Sequence, residues 1–435
     1  MRFYRAAGTD WKGRMKEEKM AQQNSQVDNF LALLAGMDSK ESGAAVRKEL
    51  KEPVNWQEIL RMADQHNLYA LVVELSSDYE EFKKSSAYHS CMNRAMRQVA
   101  EQVQRTEAFL ELYRAFIKSG LCPIVMKGII CRRLYGEYGD HRPSGDEDIL
   151  IQKKDFELAK KILESQGYAA ERENITSEQL NELQEISFKN EQRGLYIELH
   201  INPIGHENQL RRRMNECFTN VFSNYREVEI EGVRIRTMNH RDHFLFLILH
   251  TFKHFTDGGF GVRQVLDIFL YQRKYKDFID WDYINRKLKE FDAFLFLSDL
   301  IHIGNRYLGF QFPAFGEPNC PDDLLAEMMY SGAFGNATQA QRTAKHMMAA
   351  AITSRAAGRR KGKITVMFQT LFPGKDLMVN RHPELLEKPW LLPLRWLQRC
   401  GRFLQHNRKN GGNLAGESME ISRRRIKLLE KYKII

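Results

Sequence analysis

Arg142-Pro143-Ser144-Gly145-Asp146-Glu147-Asp148-Ile149-Leu150-Ile151 is the stretch on which the reading of this chain turns. Ile149 to Ile151 has the look of a strand continuing from Asp146-Glu147-Asp148, which puts two aspartates at its mouth. Side chains alternate across a strand, so Asp146 and Asp148 project from one face and Glu147 points away. A third acidic residue sits in Tyr196-Ile197-Glu198-Leu199-His200. There Leu195, Ile197 and Leu199 take the buried face, and Tyr196, Glu198 and His200 share the other.

Asp146, Asp148 and Glu198 are hard oxygen ligands of the kind two Mg²⁺ ions require, with coordination positions left over for phosphate oxygens. One ion would hold a triphosphate. The other would lower the pKa of an acceptor hydroxyl, with Glu198 or Asp148 taking its proton. Three like charges brought together are costly unless cations neutralise them, so the cluster itself suggests metal. Upstream, Cys122 to Met126 reads as a buried strand, followed by Lys127-Gly128 and a helix from Ile129 to Tyr135. Backbone N–H groups at that helix start make an anion site. Gly128 would let a phosphate approach, Lys127 adds a positive charge, and Arg142 and Ser144 are within reach of a triphosphate. His200 shares a face with Glu198, and both a substrate contact and a structural hydrogen bond are open to it.

These blocks resemble a known group. Strand, glycine-containing turn, helix, Asp-x-Asp strand and a later acidic strand is the arrangement of the polymerase-beta-like nucleotidyltransferase superfamily. Ile124-Val125-Met126-Lys127-Gly128, Arg142 to Ile151 and Ile197-Glu198-Leu199-His200 are similar to three blocks of its bacterial branch of uncharacterised nucleotidyltransferases, and His250 to Asp267 resembles a helical block. The resemblance covers roughly residues 28–310 and, weakly, Trp390 to Phe403. It implies an α+β fold, a mixed-sheet nucleotidyltransferase core flanked by N-terminal and C-terminal helical regions. It also implies an enzyme that moves a nucleoside monophosphate from an NTP, ATP favoured, to an acceptor hydroxyl or phosphate with release of pyrophosphate. The wider superfamily usually has Gly-Ser or Gly-Gly where this chain has Lys127-Gly128. A hydroxyl ligand for the triphosphate is therefore missing, and Lys127 is expected to replace it. Two other readings stay open: a catalytically inactive member that only binds, and an antitoxin-like protein that nucleotidylates a partner protein.

Working outward, 435 residues imply more than one domain. The expected organisation is a flexible leader over 1–25, an N-terminal helical domain over 26–120 and a catalytic core over 121–238. A helical domain over 239–340 and a basic C-terminal segment over 341–435 complete it. A long helix is expected from about Ser85 to Lys118, hairpins at 186–201 and 228–237, and helices at 241–255, 262–275, 281–308 and 422–433. His250 and His254 lie four apart, as zinc ligands do, but lack an HExxH glutamate, so packing or a nucleotide contact is the better reading. Arg263 and Asp267, also four apart, suggest an ion pair on the helix surface.

Six cysteines are scattered without a CxxC pair, which argues against a disulfide framework or structural zinc. The longest apolar run, Phe244 to Leu249, is far short of a membrane span, and the first 20 residues lack the apolar core of a signal peptide. A cytoplasmic protein is the expectation. Charge is uneven: Gln341 to Ile435 carries 21 Lys and Arg against 6 Asp and Glu, and the first 340 residues carry 45 against 50. The clusters Arg359-Arg360-Lys361 and Arg423-Arg424-Arg425 are expected to be free to meet a polyanion, with the proline-containing stretch flanked by Trp390 and Trp396 docked on the body of the protein.

Overall fold

The computed structural model describes residues 24–37, 49–172, 175, 180, 183–205, 209–313, 315–332, 378, 383–385, 388–409 and 414–434. Almost all of the expected leader and the Arg359-Arg360-Lys361 cluster lie outside the described residues. The chain divides into two compact units, one formed by residues 1–251 with 262–316 and the other by 252–261 with 317–435.

The first unit holds a seven-stranded mixed sheet flanked by helices, the α+β arrangement expected from the sequence. Its strands are β1 (Ile124–Val125), β2 (Asp146–Leu150), β3 (Ala169–Ala170), β4 (Glu185–Asn190), β5 (Leu195–His200), β6 (Tyr225–Ile230) and β7 (Val233–Met238), in the order β3-β4-β5-β2-β1-β7-β6. β2 runs parallel to β5 and β1 parallel to β7, and the remaining neighbours are antiparallel. Alternation makes the sheet two-faced. In β4 Ile186 and Phe188, and in β5 Leu195, Ile197 and Leu199, fall every second residue and are fully buried. They pack with Ile149 of β2 against Phe109, Tyr113 and Phe116 of the long helix Tyr88–Lys118 and against Phe156, Ala159 and Leu163 of the helix Phe156–Ser165. Tyr113 locks helix to sheet: its hydroxyl donates to the Pro123 carbonyl at 2.9 Å and accepts from the Arg236 N–H at 2.9 Å.

Several elements differ from their sequence expectation. The strand over 122–126 shrinks to Ile124–Val125, with Met126 still tied to β2 by the bond from its N–H to the Asp148 carbonyl, 2.9 Å. The helix begun at Ile129 ends at Arg132 and passes into 3₁₀ turns over Arg133–His141, kinked where Gly136 takes φ 58°. The helix over 281–308 is two, Trp281–Glu290 and Phe294–Tyr307, parted at Asp292, which turns the chain with φ 56°.

In the second unit, the helices Pro321–Ser331 and Leu414–Lys431 correct the reading of Arg423-Arg424-Arg425 as a free cluster. Arg424 donates to Glu327 at 3.1 Å, and the buried Arg425 donates to Glu327 and to the Phe255 carbonyl. A run of three arginines on a helix spreads over roughly 200° of its circumference, so neighbours in sequence meet different surroundings. Trp390 is 72% exposed.

Candidate active site

The parallel register of β2 and β5 sets Asp148 directly beside Glu198, with Asp146 beside Tyr196 and Leu150 beside His200. Neighbours across a ladder share a face, so Asp146, Asp148, Glu198 and His200 emerge together on the side of the sheet away from the Phe109 core. β4 adds a residue that the sequence did not single out. Glu185 pairs with His200 in the antiparallel register, and its Oε2 lies 3.5 Å from His200 Nε2. His200 is fully buried, and the same Nε2 lies 3.2 Å from Asp148 Oδ1 and 3.7 Å from Glu198 Oε2. Its other nitrogen, Nδ1, is 3.4 Å from the Asn202 carbonyl.

Lys127 closes the group from β1. Its Nζ stands 3.6 Å from Asp148 Oδ2, brought there by the bond from the Met126 N–H to the Asp148 carbonyl. His243, from the helix His240–Asp257, steadies this junction: its Nε2–H donates to the Met126 carbonyl at 2.7 Å. Burial holds that imidazole neutral, with its pKa pushed down to about 3.

Electrostatics separates the carboxylates. Burial alone would raise Asp148, but Lys127 and the His200 hydrogen bond outweigh it and hold its carboxyl well below the usual range. Glu198 is pushed up to about 7 by burial, with Asp148, Glu185 and Asp146 adding to the rise and His200 opposing it. His200 goes the other way: burial would lower its pKa, yet the bonds to Asp148 and Glu198 push it up to about 10. The same carboxylates raise Lys127 against its burial. An imidazolium and an ammonium thus balance the acids when no metal is bound. Among the described residues, ligand atoms of Asp148, Glu198 and His200 lie within 4.8 Å of one another, a spacing that fits one metal ion. His250 lies outside that group, buried against the Phe246 ring at 5.5 Å.

The opposite face of β2 is organised as tightly. Glu147 points away from the aspartates and is buried, where its Oε2 accepts from the Ile129 N–H at 2.8 Å and its Oε1 lies 3.4 Å from Arg132 Nη2. Arg132 in turn donates to Thr106 Oγ1 at 2.6 Å. The N–H that opens the Ile129 helix therefore has an acceptor within the chain. Gly128 takes φ 55°, and a Cβ there would come within 1.9 Å of Glu147 Oε2, so the turn needs glycine on both counts.

Arg142 and Ser144 set the approach to Asp146. Arg142, almost fully buried, donates through Nε and Nη2 to the two Asp267 oxygens at 2.8 and 2.5 Å, and Tyr135 donates to Oδ1 at 2.9 Å. The partner of Asp267 is thus Arg142 rather than the expected surface pairing with Arg263, whose Nη1 donates to the Pro143 carbonyl at 2.5 Å. Ser144 donates to the Asp146 carbonyl at 2.7 Å, and its N–H donates to Gln102 at 2.6 Å. Asp267 and Gln102 could not be tied to this loop from sequence, since they lie 125 and 42 residues from their partners.

The sequence model of a family described as uncharacterised nucleotidyltransferase matches residues 52–309, more than half of the chain and all of this site. The chain belongs to that family. It is a nucleotidyltransferase, a transferase of phosphorus-containing groups with a nucleotide substrate. No curated protein and no solved structure matches it. Among the described residues, no helix is long and apolar enough to cross a membrane.

Proposed function

We propose that the Asp148–Glu198 face of β2 and β5 transfers a nucleoside monophosphate from an NTP, ATP favoured, to an acceptor hydroxyl or phosphate with release of pyrophosphate. The observation that carries this reading is the ladder pairing of Asp148 with Glu198, which gathers carboxylates around a buried histidine and a lysine. Asp146, Asp148 and Glu198 would hold two Mg²⁺ ions: the ladder sets Asp148 beside Glu198 with Asp146 on the same face, and carboxylate oxygens are the donors Mg²⁺ takes. Bound there, the ions supply neutralisation of the triphosphate charge and a lowered pKa for the acceptor hydroxyl.

The chain's own residues do the rest. Asp148, held ionised by Lys127 and His200, stays a ligand throughout. Glu198, the more exposed carboxylate of the Asp148–Glu198 pair, is the one placed to take the acceptor's proton. Lys127 contacts a triphosphate entering beside Asp148, and Gly128 makes room for the Glu147 carboxylate that fixes the turn. Arg142 and Ser144 serve the nucleotide indirectly, by holding the 142–145 loop, and His200 by fixing Asp148 and Glu198.

The test is incubation of the purified protein with each α-³²P-labelled NTP and Mg²⁺, reading pyrophosphate release and label on candidate acceptors. Mg²⁺-dependent pyrophosphate release that Asp148→Asn abolishes supports the reading. Tight NTP binding with no release under any acceptor mixture would replace it with the inactive, binding-only alternative. Label recovered on a protein-sized acceptor would mark the antitoxin-like variant of the same chemistry.

A further inference from the structure

The second unit carries a surface that the transfer reaction does not use. After the 3₁₀ turn Pro389–Leu391, an 18-residue helix spans Leu392–Lys409. Trp390, Leu394 and Leu397 are 72%, 49% and 68% exposed, among the most exposed large apolar side chains of the described residues. Their spacing of four and then three residues makes one stripe along the start of the helix. Over residues 388–409 the sequence has six Lys and Arg and no Asp or Glu. Of these, Arg395 pairs with Glu384 at 2.8 Å and Lys388 is exposed.

We infer that this segment docks on an anionic lipid surface. An apolar stripe led by a tryptophan, on a helix whose charges are all positive, matches the two layers of such a surface. Trp and Leu enter the boundary between headgroups and acyl chains, and Lys and Arg meet the phosphates. The helix lies along the surface, since it is not apolar enough to cross it. Nucleic acid offers the same phosphates but no apolar layer for the stripe, and a second copy of the chain would set positive charge against positive charge. Lipid answers both halves of the pattern.

The experiment is co-flotation of the full-length protein with vesicles of phosphatidylcholine alone and with about a third phosphatidylglycerol. The protein should float with the anionic vesicles and stay behind with the neutral ones, and added salt should release part of it. Trp390→Ser/Leu394→Ser/Leu397→Ser should cut flotation at least tenfold. These side chains are solvent-exposed, and the circular-dichroism melt of the variant should match that of wild type. Leu394→Ser alone, a milder change, should give an intermediate loss and guards against a misfolded triple variant. Absent flotation of wild type, or equal flotation of wild type and both variants, overturns the inference. So does a wild-type dimer that the triple variant converts to monomer, or RNA binding that the triple variant loses while flotation persists.

Discussion

Glu147 and Asp148 are consecutive carboxylates on one strand, and the sheet sends them into opposite worlds. Asp148 faces Lys127 and His200 and is held ionised, whereas Glu147 faces the core, with Arg132 and the Ile129 N–H, and burial pushes it up to about 7. The chemistry of the side chain is nearly the same, so the difference comes from what each face of β2 packs against. The Asp148 face gathers carboxylates around Lys127 and His200. The core face satisfies its charge with Arg132 and a backbone N–H and thereby ties the 127–129 turn to β2.

Mutations on the two faces should therefore fail differently. Asp148→Asn should lower transfer on the order of 10³-fold or more while the protein stays folded, because it removes a ligand and no core volume. Asp146→Asn/Asp148→Asn should be little worse than the worse single variant, since the ligands act as a unit. Turnover measured per folded molecule beside the urea unfolding profile separates the cases, and near-wild-type turnover of Asp148→Asn would erase the contrast. Glu147→Ala should do the reverse. It takes from Arg132 its buried carboxylate and leaves the Ile129 N–H unpaired in the core, and should cost about 3–5 kcal/mol of stability while turnover per folded molecule stays within a few-fold of wild type.

A smaller effect is expected at Lys127. Removing one charge-assisted contact to phosphate, worth about 1.5–3 kcal/mol, should weaken NTP binding of Lys127→Ala roughly 10- to 100-fold. Mg²⁺ affinity should move far less, and calorimetry with each ligand reads both. Smallest is Gly128→Ala, where positive φ and the approach of Glu147 should together cost about 1–3 kcal/mol. If the clash with Glu147 is the larger part, Glu147→Ala should relieve it, and the double variant should be more stable than the two single losses added together.

The Asp148 face was largely legible in the sequence. Period-two alternation around Asp146, Asp148, Glu198 and His200 is a local signal, and the family blocks fixed their order. Glu185 was not legible, because only the register of β4 against β5 puts it opposite His200. Glu147 was read as pointing away, but its bond to the Ile129 N–H depends on β1 and β2 lying side by side. Arg142 and Asp267 are 125 residues apart, and helical spacing pointed Asp267 to Arg263 instead. Spacing along the chain reports the faces of one element and stays silent on which elements meet. The arginines at 423–425 show the same limit: a run that looked free of acids meets Glu327 from another helix.

The central claim is that the Asp148 face holds the ion and the Glu147 face does not. Titration of Mn²⁺, read by electron paramagnetic resonance, tests it on wild type, Asp148→Asn and Glu147→Gln in the presence of a non-hydrolysable NTP. Wild type and Glu147→Gln should bind the ion with equal affinity, and Asp148→Asn should lose at least a factor of ten. Equal affinity in all three proteins, or loss confined to Glu147→Gln, would contradict the account.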